Sequence, residues 1–230
     1  SKKVLAVGTE AYRMIGRTPG NVVATRPIRS GVISDHDMTV RLLQELFRKA
    51  TKSSIFTPKP RVVISVPSGV TEIEERSVLN AAIEAGARRV YLIEEPLAAA
   101  LGAGLDISSP KGHLVVDIGG GTTDIAIVED GGVEGTKMFS IGGRSFTRQI
   151  AERLGISFDE AERLKLLSDS PKMPEELRHK FDNAVARNLD AWQAGVELAI
   201  EEFDQLETLP GQILLCGGGA GLSAVPETLA

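Results

Sequence analysis

Asp117-Ile118-Gly119-Gly120-Gly121-Thr122-Thr123-Asp124 lies between two apolar runs, Leu114 to Ile118 and Thr123 to Val128, and its reading decides the fold. Two strands joined by glycines form a hairpin. Three consecutive glycines let main-chain N–H groups approach and cradle phosphate oxygens, Thr122 and Thr123 add hydroxyl donors, and Asp117 can hold magnesium through its water shell. The stretch is not a Walker loop, because no Gly-Lys-Ser/Thr follows. Nor is it a dinucleotide fingerprint, because the next element is a strand rather than a helix. An ordinary glycine-rich turn with a capping aspartate fits the same residues.

Working outward, Val133 to Ile141 adds a third strand after glycines 131 to 132, so the three strands form a meander. Helical spacing follows over about Arg144 to Leu154, Phe158 to Leu167 and Glu175 to Leu206, with Ser168 to Pro174 as a linker. Strand Gln212 to Cys216 then runs into Gly217-Gly218-Gly219, a flat main-chain surface suited to a base or ribose and equally to a simple turn. Upstream, the spacing of Met38, Leu42, Leu43, Leu46 and Phe47 predicts a helix over Asp37 to Ala50, with Asp35 or Asp37 available as its cap. Strand Val62 to Val66, helix Thr71 to Ala85 and strand Val90 to Ile93 make a βαβ unit, and a further helix starts near Pro96. Glu94 and Glu95 stand where that last strand meets the helix. A carboxylate there can orient or deprotonate a water, or it can simply favour the helix dipole.

The two halves are complementary pieces of one plan, a meander followed by alternating helices and strands. The second half shows the front of a ribonuclease-H-like lobe and the first half its back, so an incomplete two-lobed α/β protein is expected.

The chain has 230 residues, 42% hydrophobic and 25% charged, as expected of a folded soluble protein rather than a disordered chain or coiled coil. One cysteine, Cys216, excludes a disulfide scaffold or cysteine-based zinc cluster, and it reads as a core residue because no histidine partner is in sight. The opening Ser1-Lys2-Lys3-Val4 has no apolar leader, and the oily stretch Leu97 to Leu105 is too short to span a bilayer, so a cytoplasmic setting is expected. Residues 1 to 61 carry 12 Lys+Arg against 4 Asp+Glu, net +8, and the remainder carries 14 against 27, net −13. A basic end can face an acidic partner, a second copy or solvent. Nucleic acid is not expected, since aromatics make up only 4% of the chain, too few for a stacking surface.

Three segments carry a resemblance to a known family: Val4 to Ala11 with Gly16-Arg17-Thr18-Pro19-Gly20-Asn21, Val62 to Thr71, and Glu84 to Ala100. Together they closely resemble the bacterial actin MreB, in the superfamily of actin, heat-shock chaperone ATPases and sugar kinases. The likeness runs from about residue 2 to 145 and resumes at Ile213 to Leu222. Gly155 to Glu162 looks more like the pilus-assembly and cell-division relatives PilM and FtsA, a likeness taken over about residues 142 to 200.

The resemblance implies an α/β actin-like ATPase fold of two ribonuclease-H-like lobes, truncated at both ends. Residues 1–106 would be the first lobe, with 1–29 a small subdomain. Residues 107–230 would be the second, with 151–185 a reduced subdomain insertion. It implies ATP or ADP with Mg2+ as cofactors. Gly119, Gly120, Gly121, Thr122 and Thr123 would be the phosphate motif, with Asp117 catalytic at the magnesium-water position. Gly217, Gly218 and Gly219 would be the adenosine motif, Glu95 would position the catalytic water, and Glu162 and Lys165 would flank ribose and base, their i, i+3 spacing placing them on one helix face.

It further implies slow hydrolysis of Mg-ATP, self-assembly into filaments in bacterial cell-shape determination, contact with cell-shape or division proteins, and an inner-membrane surface touched through Ile55 and Phe56, ringed by Lys52, Lys59 and Arg61. A PilM- or FtsA-like adaptor with little or no turnover is the alternative. The family's first phosphate motif is not found upstream of Lys2.

Overall fold

The computed structural model describes residues 3–29, 31–51, 58–171, 173–203 and 210–229. They form two compact units, which divide between Glu95 and Pro96.

In the first unit, a short helix α1 (Thr9–Met14) precedes a two-residue hairpin, β1 (Ile28–Arg29) with β2 (Val32–Ile33). Helix α2 (His36–Ala50) is capped by Asp35, whose carboxylate accepts the Met38 N–H at 3.0 Å. Strand β3 (Arg61–Val66) pairs in parallel with β4 (Arg89–Glu94), in register from Arg61 opposite Arg89 to Val66 opposite Glu94. Between them runs α3 (Glu72–Glu84), opened by a reciprocal cap in which Thr71 accepts from the Glu74 N–H and the Glu74 carboxylate accepts from Thr71. The expected βαβ unit is present. The pieces α1, β1 and β2 are too short to show a period in the sequence.

Helix α4 (Glu95–Gly102) begins directly after β4 and leads into the second unit. There β5 (His113–Ile118), β6 (Thr123–Glu129), β7 (Gly132–Phe139) and β8 (Ile213–Cys216) form one sheet of order β7-β6-β5-β8. The meander is antiparallel throughout, whereas β8 pairs with β5 in parallel. The β6–β7 turn is Asp130-Gly131, both at positive φ, 49° and 82°, one residue earlier than the glycines predict. Helices α5 (Gly143–Leu154), α6 (Phe158–Leu166), the long α7 (Glu175–Glu201) and α8 (Ala224–Thr228) complete the unit.

Strand alternation sorts the side chains of β5. Leu114, Val116 and Ile118 enter a core with Phe146, Ile150, Phe181, Trp192 and Val196 from the helices, while Val115 joins Ala100 and Val128 on the opposite face. Both faces of this sheet are therefore covered, and the loops at the carboxyl ends of β5 and β8 emerge from a rigid base.

Candidate functional site: two glycine loops at the end of a parallel strand pair

Parallel pairing of β5 and β8 puts Asp117 opposite Cys216, so the loops that follow the two strands start side by side. In an open α/β sheet this is the end at which ligands bind. Their closeness demands glycine. At Gly217, with φ +82°, a Cβ would lie 2.2 Å from Asp117 Oδ1 and 2.5 Å from the Ile118 carbonyl oxygen. At Gly219 it would lie 2.3 Å from Ile118 Cγ2, and the Gly219 N–H donates to that same carbonyl at 2.8 Å. Gly219 thus fastens the second loop to the first. The main-chain N–H groups of Gly120, Gly121 and Gly218 donate to no protein acceptor among the described residues, and all three glycines are exposed. A Cβ on Gly121 or Gly218 would meet nothing within 4 Å, which leaves open space above both loops.

The hairpin also caps a helix. Gly119 and Gly120 offer their carbonyls to the N–H groups of Gly143 and Arg144, both at 2.9 Å, and so satisfy two of the orphan donors that open α5. At Gly142 a Cβ would collide with the Gly119 carbonyl at 2.6 Å. The sequence carries the Gly142-Gly143 pair in plain view, but nothing local marks it as the seat of a hairpin more than 20 residues upstream.

Asp117 and Asp124 face each other across the β5–β6 ladder. Burial pushes both carboxyls above their ordinary value, and the neighbouring Asp117 raises Asp124 further, although the Thr122 hydroxyl, donating to Asp124 at 3.0 Å, pulls the other way. Two half-buried carboxylates that resist sharing a negative charge have hard oxygens to offer a divalent cation. Among the described residues no group of three or more His, Cys, Asp or Glu could hold a metal ion. Mg2+ therefore fits here only as a shared ion, completed by phosphate and water oxygens, as is usual for that cation. Asp124 is the member of the pair whose role shows only in the strand register. Cys216, beside Asp117, has its thiol pushed up to about 11 by burial and by that carboxylate, which makes it an inert core residue as expected.

Thr123 departs from its expected part. Its side chain is fully buried, its hydroxyl donates to the Ile141 carbonyl at 2.7 Å, and it accepts the Trp192 indole N–H at 2.9 Å. With both roles taken by the core, the hydroxyl is not a phosphate donor. Glu162 and Lys165 do share a face, and there they form a strut. Lys165 Nζ donates to Glu162 at 2.8 Å, to the Thr147 hydroxyl at 2.8 Å and to the Gly143 carbonyl at 3.0 Å, and Thr147 in turn bonds Glu162. Desolvation raises the Glu162 carboxyl, but the bonds from Lys165 and Thr147 outweigh it and hold the group below its ordinary value. The Lys165 ammonium lies 3.6 Å from where a Cβ on Gly143 would stand, and the Gly219 Cα lies 3.7 Å from the same point. The strut therefore borders both glycine loops. Glu95 is half-buried at the β4–α4 junction and closes the first unit. Ile55 and Phe56 lie outside the described residues.

Solved structures share this architecture over nearly the whole chain. MreB5 of Spiroplasma citri bound to ADP superposes with a TM-score of 0.76 at 29% identity, covering 98% of this chain and 76% of that one. The same protein bound to AMPPNP gives 0.77 at 30% identity, covering 99% and 77%. The ethanolamine utilization protein EutJ from Carboxydothermus hydrogenoformans gives 0.65 at 27%, covering 90% of this chain and 69% of that one. The class is thus the α/β actin-like ATPase fold.

Within that class, the family description MreB/Mbl protein matches residues 1–165, and the chain belongs to the MreB/Mbl family. The description Cell division protein FtsA matches residues 114–225. The cell shape-determining protein MreB of Escherichia coli K12 is 48% identical over 149 residues, which are 65% of this chain and 43% of that protein. The chain spans less than half the length of this curated relative. No helix among the described residues is long and apolar enough to cross a membrane.

Proposed function

We propose that the chain is an actin-like nucleotide-binding protein of the MreB type that binds ATP or ADP, hydrolyses Mg-ATP slowly and self-assembles in bacterial cell-shape determination. Units 1–95 and 96–230 are then its two lobes. The observation that carries this is the pair of glycine loops at the carboxyl ends of β5 and β8, with unpartnered N–H groups on both and two carboxylates beneath. The relative MreB5 bound to ADP and to AMPPNP supports it.

In this reading the N–H groups of Gly120 and Gly121 hold phosphate oxygens, and Gly218 offers a flat edge to the adenosine. The Lys165–Glu162 strut walls the nucleotide pocket without giving up its own bonds. Asp117 and Asp124 are the residues that would hold Mg2+, which would supply charge neutralisation for the phosphates. Glu95 orients the attacking water. The test of that role is Glu95→Ala, which should abolish phosphate release while ADP binding, read by calorimetry, stays within about twofold. Persistent hydrolysis in the variant would remove Glu95 from the scheme.

ATP-dependent pelleting and filaments in electron micrographs are the expected signs of assembly. Contact of Ile55 and Phe56 with a membrane surface is part of the same proposal, checked by co-sedimentation with anionic vesicles. The FtsA match over residues 114–225 gives a second reading, an adaptor that holds nucleotide to fix a conformation. Tight binding with neither turnover nor pelleting would favour it.

A further inference from the structure

Arg144 stands in the first turn of α5, exposed, with its main-chain N–H bonded to the Gly120 carbonyl at 2.9 Å. Its side chain turns back over the same glycine. The guanidinium atoms Nη2, Nε and Cζ lie 2.9, 3.0 and 3.3 Å from where a Cβ on Gly120 would stand. The guanidinium is thus laid against Gly120, in the hairpin whose Gly120 and Gly121 N–H groups have no protein acceptor among the described residues.

Two features say that this charge is not there for stability. A cation at the start of a helix opposes the helix dipole, and α5 has no acidic residue in its first turn to offset it. Among the described residues no carboxylate pairs with Arg144, and the nearby Glu162, which feels its charge, is already bonded to Lys165 and Thr147. An arginine brings a planar fork of donors and a weakly hydrated charge, the chemistry that recognises phosphate.

We propose that Arg144 determines specificity for the terminal phosphate of a nucleoside di- or triphosphate, its guanidinium donating to the phosphate oxygens that the 119–121 hairpin cradles. This rests on the nucleotide-binding reading above. It adds one side chain to the main-chain donors that separate a nucleoside from its phosphorylated forms. A side chain at position 120 would meet the guanidinium first, and the long, exposed arginine could swing aside to admit it.

The test titrates adenosine, ADP and AMPPNP by calorimetry into the wild-type chain and into Arg144→Ala, Arg144→Lys and Arg144→Glu, each first shown by thermal melting to be folded. Arg144→Ala should weaken ADP and AMPPNP roughly ten- to hundredfold, and Arg144→Glu more, while adenosine affinity stays within about twofold. Arg144→Lys should recover part of the loss, because charge without the fork is the poorer phosphate ligand. Affinity for AMPPNP should also depend less steeply on salt in Arg144→Ala.

Wild-type ADP affinity in Arg144→Ala would overturn the proposal and leave the nucleotide site standing. Parallel weakening of adenosine and ADP would overturn it too, by showing that Arg144 only braces the loop. A wild-type chain that binds none of the three ligands would bring down the site itself, and Arg144 with it.

Discussion

The two units contain the same kinds of element and bury them very differently. In the second, both faces of a four-stranded sheet are covered, and Val115, Val116, Ile118, Ile125, Phe146, Ile150 and Trp192 are all within 1% of full burial. In the first, the two-stranded parallel sheet has one face exposed among the described residues. The register partners Val63 and Tyr91 are 65% and 47% exposed. Parallel strands ordinarily have both faces covered. The first unit also has a cavity of about 270 Å³, lined by Ala11, Tyr12 and Ile15 of α1 and by Met38 and Leu42 of α2. The glycine loops therefore grow from the well-packed unit, where a shift of a few tenths of an ångström in a strand end is costly. A phosphate cradle built from main chain needs that rigidity, because glycines have no side chains with which to hold their own shape.

The largest expected effect sharpens this contrast. Trp192→Ala should cost about 3–5 kcal/mol, since it empties a fully buried site and strips the Thr123 hydroxyl of its indole partner. Tyr91→Ala, on the open face, should cost less than about 1 kcal/mol. Urea unfolding followed by far-UV circular dichroism reads both, and equal costs would break the comparison. Next comes Gly217→Ala. A methyl group 2.2 Å from Asp117 Oδ1, on a residue at φ +82°, should cost roughly 2–4 kcal/mol, and ADP binding should fall with it as the Asp117 carboxylate is pushed aside.

Much of the second unit was legible because period 2 and the glycine turns are local signals. The β5–β6 hairpin, the βαβ unit of the first half and the position of both glycine runs at strand ends follow from them. What escaped is non-local. Helix α5 is capped by carbonyls of Gly119 and Gly120, and no residue near Gly142 announces partners so far upstream. The i, i+3 spacing showed that Glu162 and Lys165 share a face, but not that the face is turned inward onto Thr147. Thr123 is the instructive miss, because the signal was there. Ile125 and Ile127 share its parity on β6 and point into the core, so Thr123 had to point there too. Its hydroxyl was read as chemistry when strand geometry had already made it packing.

Matched capping boxes offer a finer probe of whether the units melt apart. Thr71 with Glu74 opens α3, and Ser157 with Glu160 opens α6 by the same reciprocal bonds. Ser157→Ala should lower the stability of the second unit by about 1 kcal/mol, through the lost hydroxyl acceptor. Thr71→Ala should instead appear as faster amide exchange in α3 and β4, with the second unit's unfolding midpoint unmoved. One shared transition shifted by both substitutions would show that the units unfold together. The bonds from Thr71 and Ser157 also hold the Glu74 and Glu160 carboxyls below their ordinary value, so each substitution should return its own glutamate toward that value in an NMR titration.

The smallest effect tests the site through pH. Asp117 and Asp124 have folded-state pKa values raised above 3.8 by burial, so the folded chain binds those protons more tightly than the unfolded chain. Their contribution to stability is full at low pH and is lost as pH rises through the raised values. Asp124→Asn removes one charge from the pair and should flatten that loss, making the nucleotide-free chain more stable near neutrality by about 0.5 kcal/mol at most, since both carboxyls remain half open to water.

Glu162 works in the opposite sense. Its lowered pKa gives stability that is lost as pH falls, so the Asp124 effect must be read as the difference between variant and wild type at each pH. The same substitution should weaken Mg-dependent binding of ADP while leaving Mg-free binding nearly unchanged. A carboxylate pair that costs the empty fold stability and helps only the loaded one is what a shared cation site requires. If Asp124→Asn destabilised the empty chain instead, the pair would be part of the framework, like Thr123 beside it.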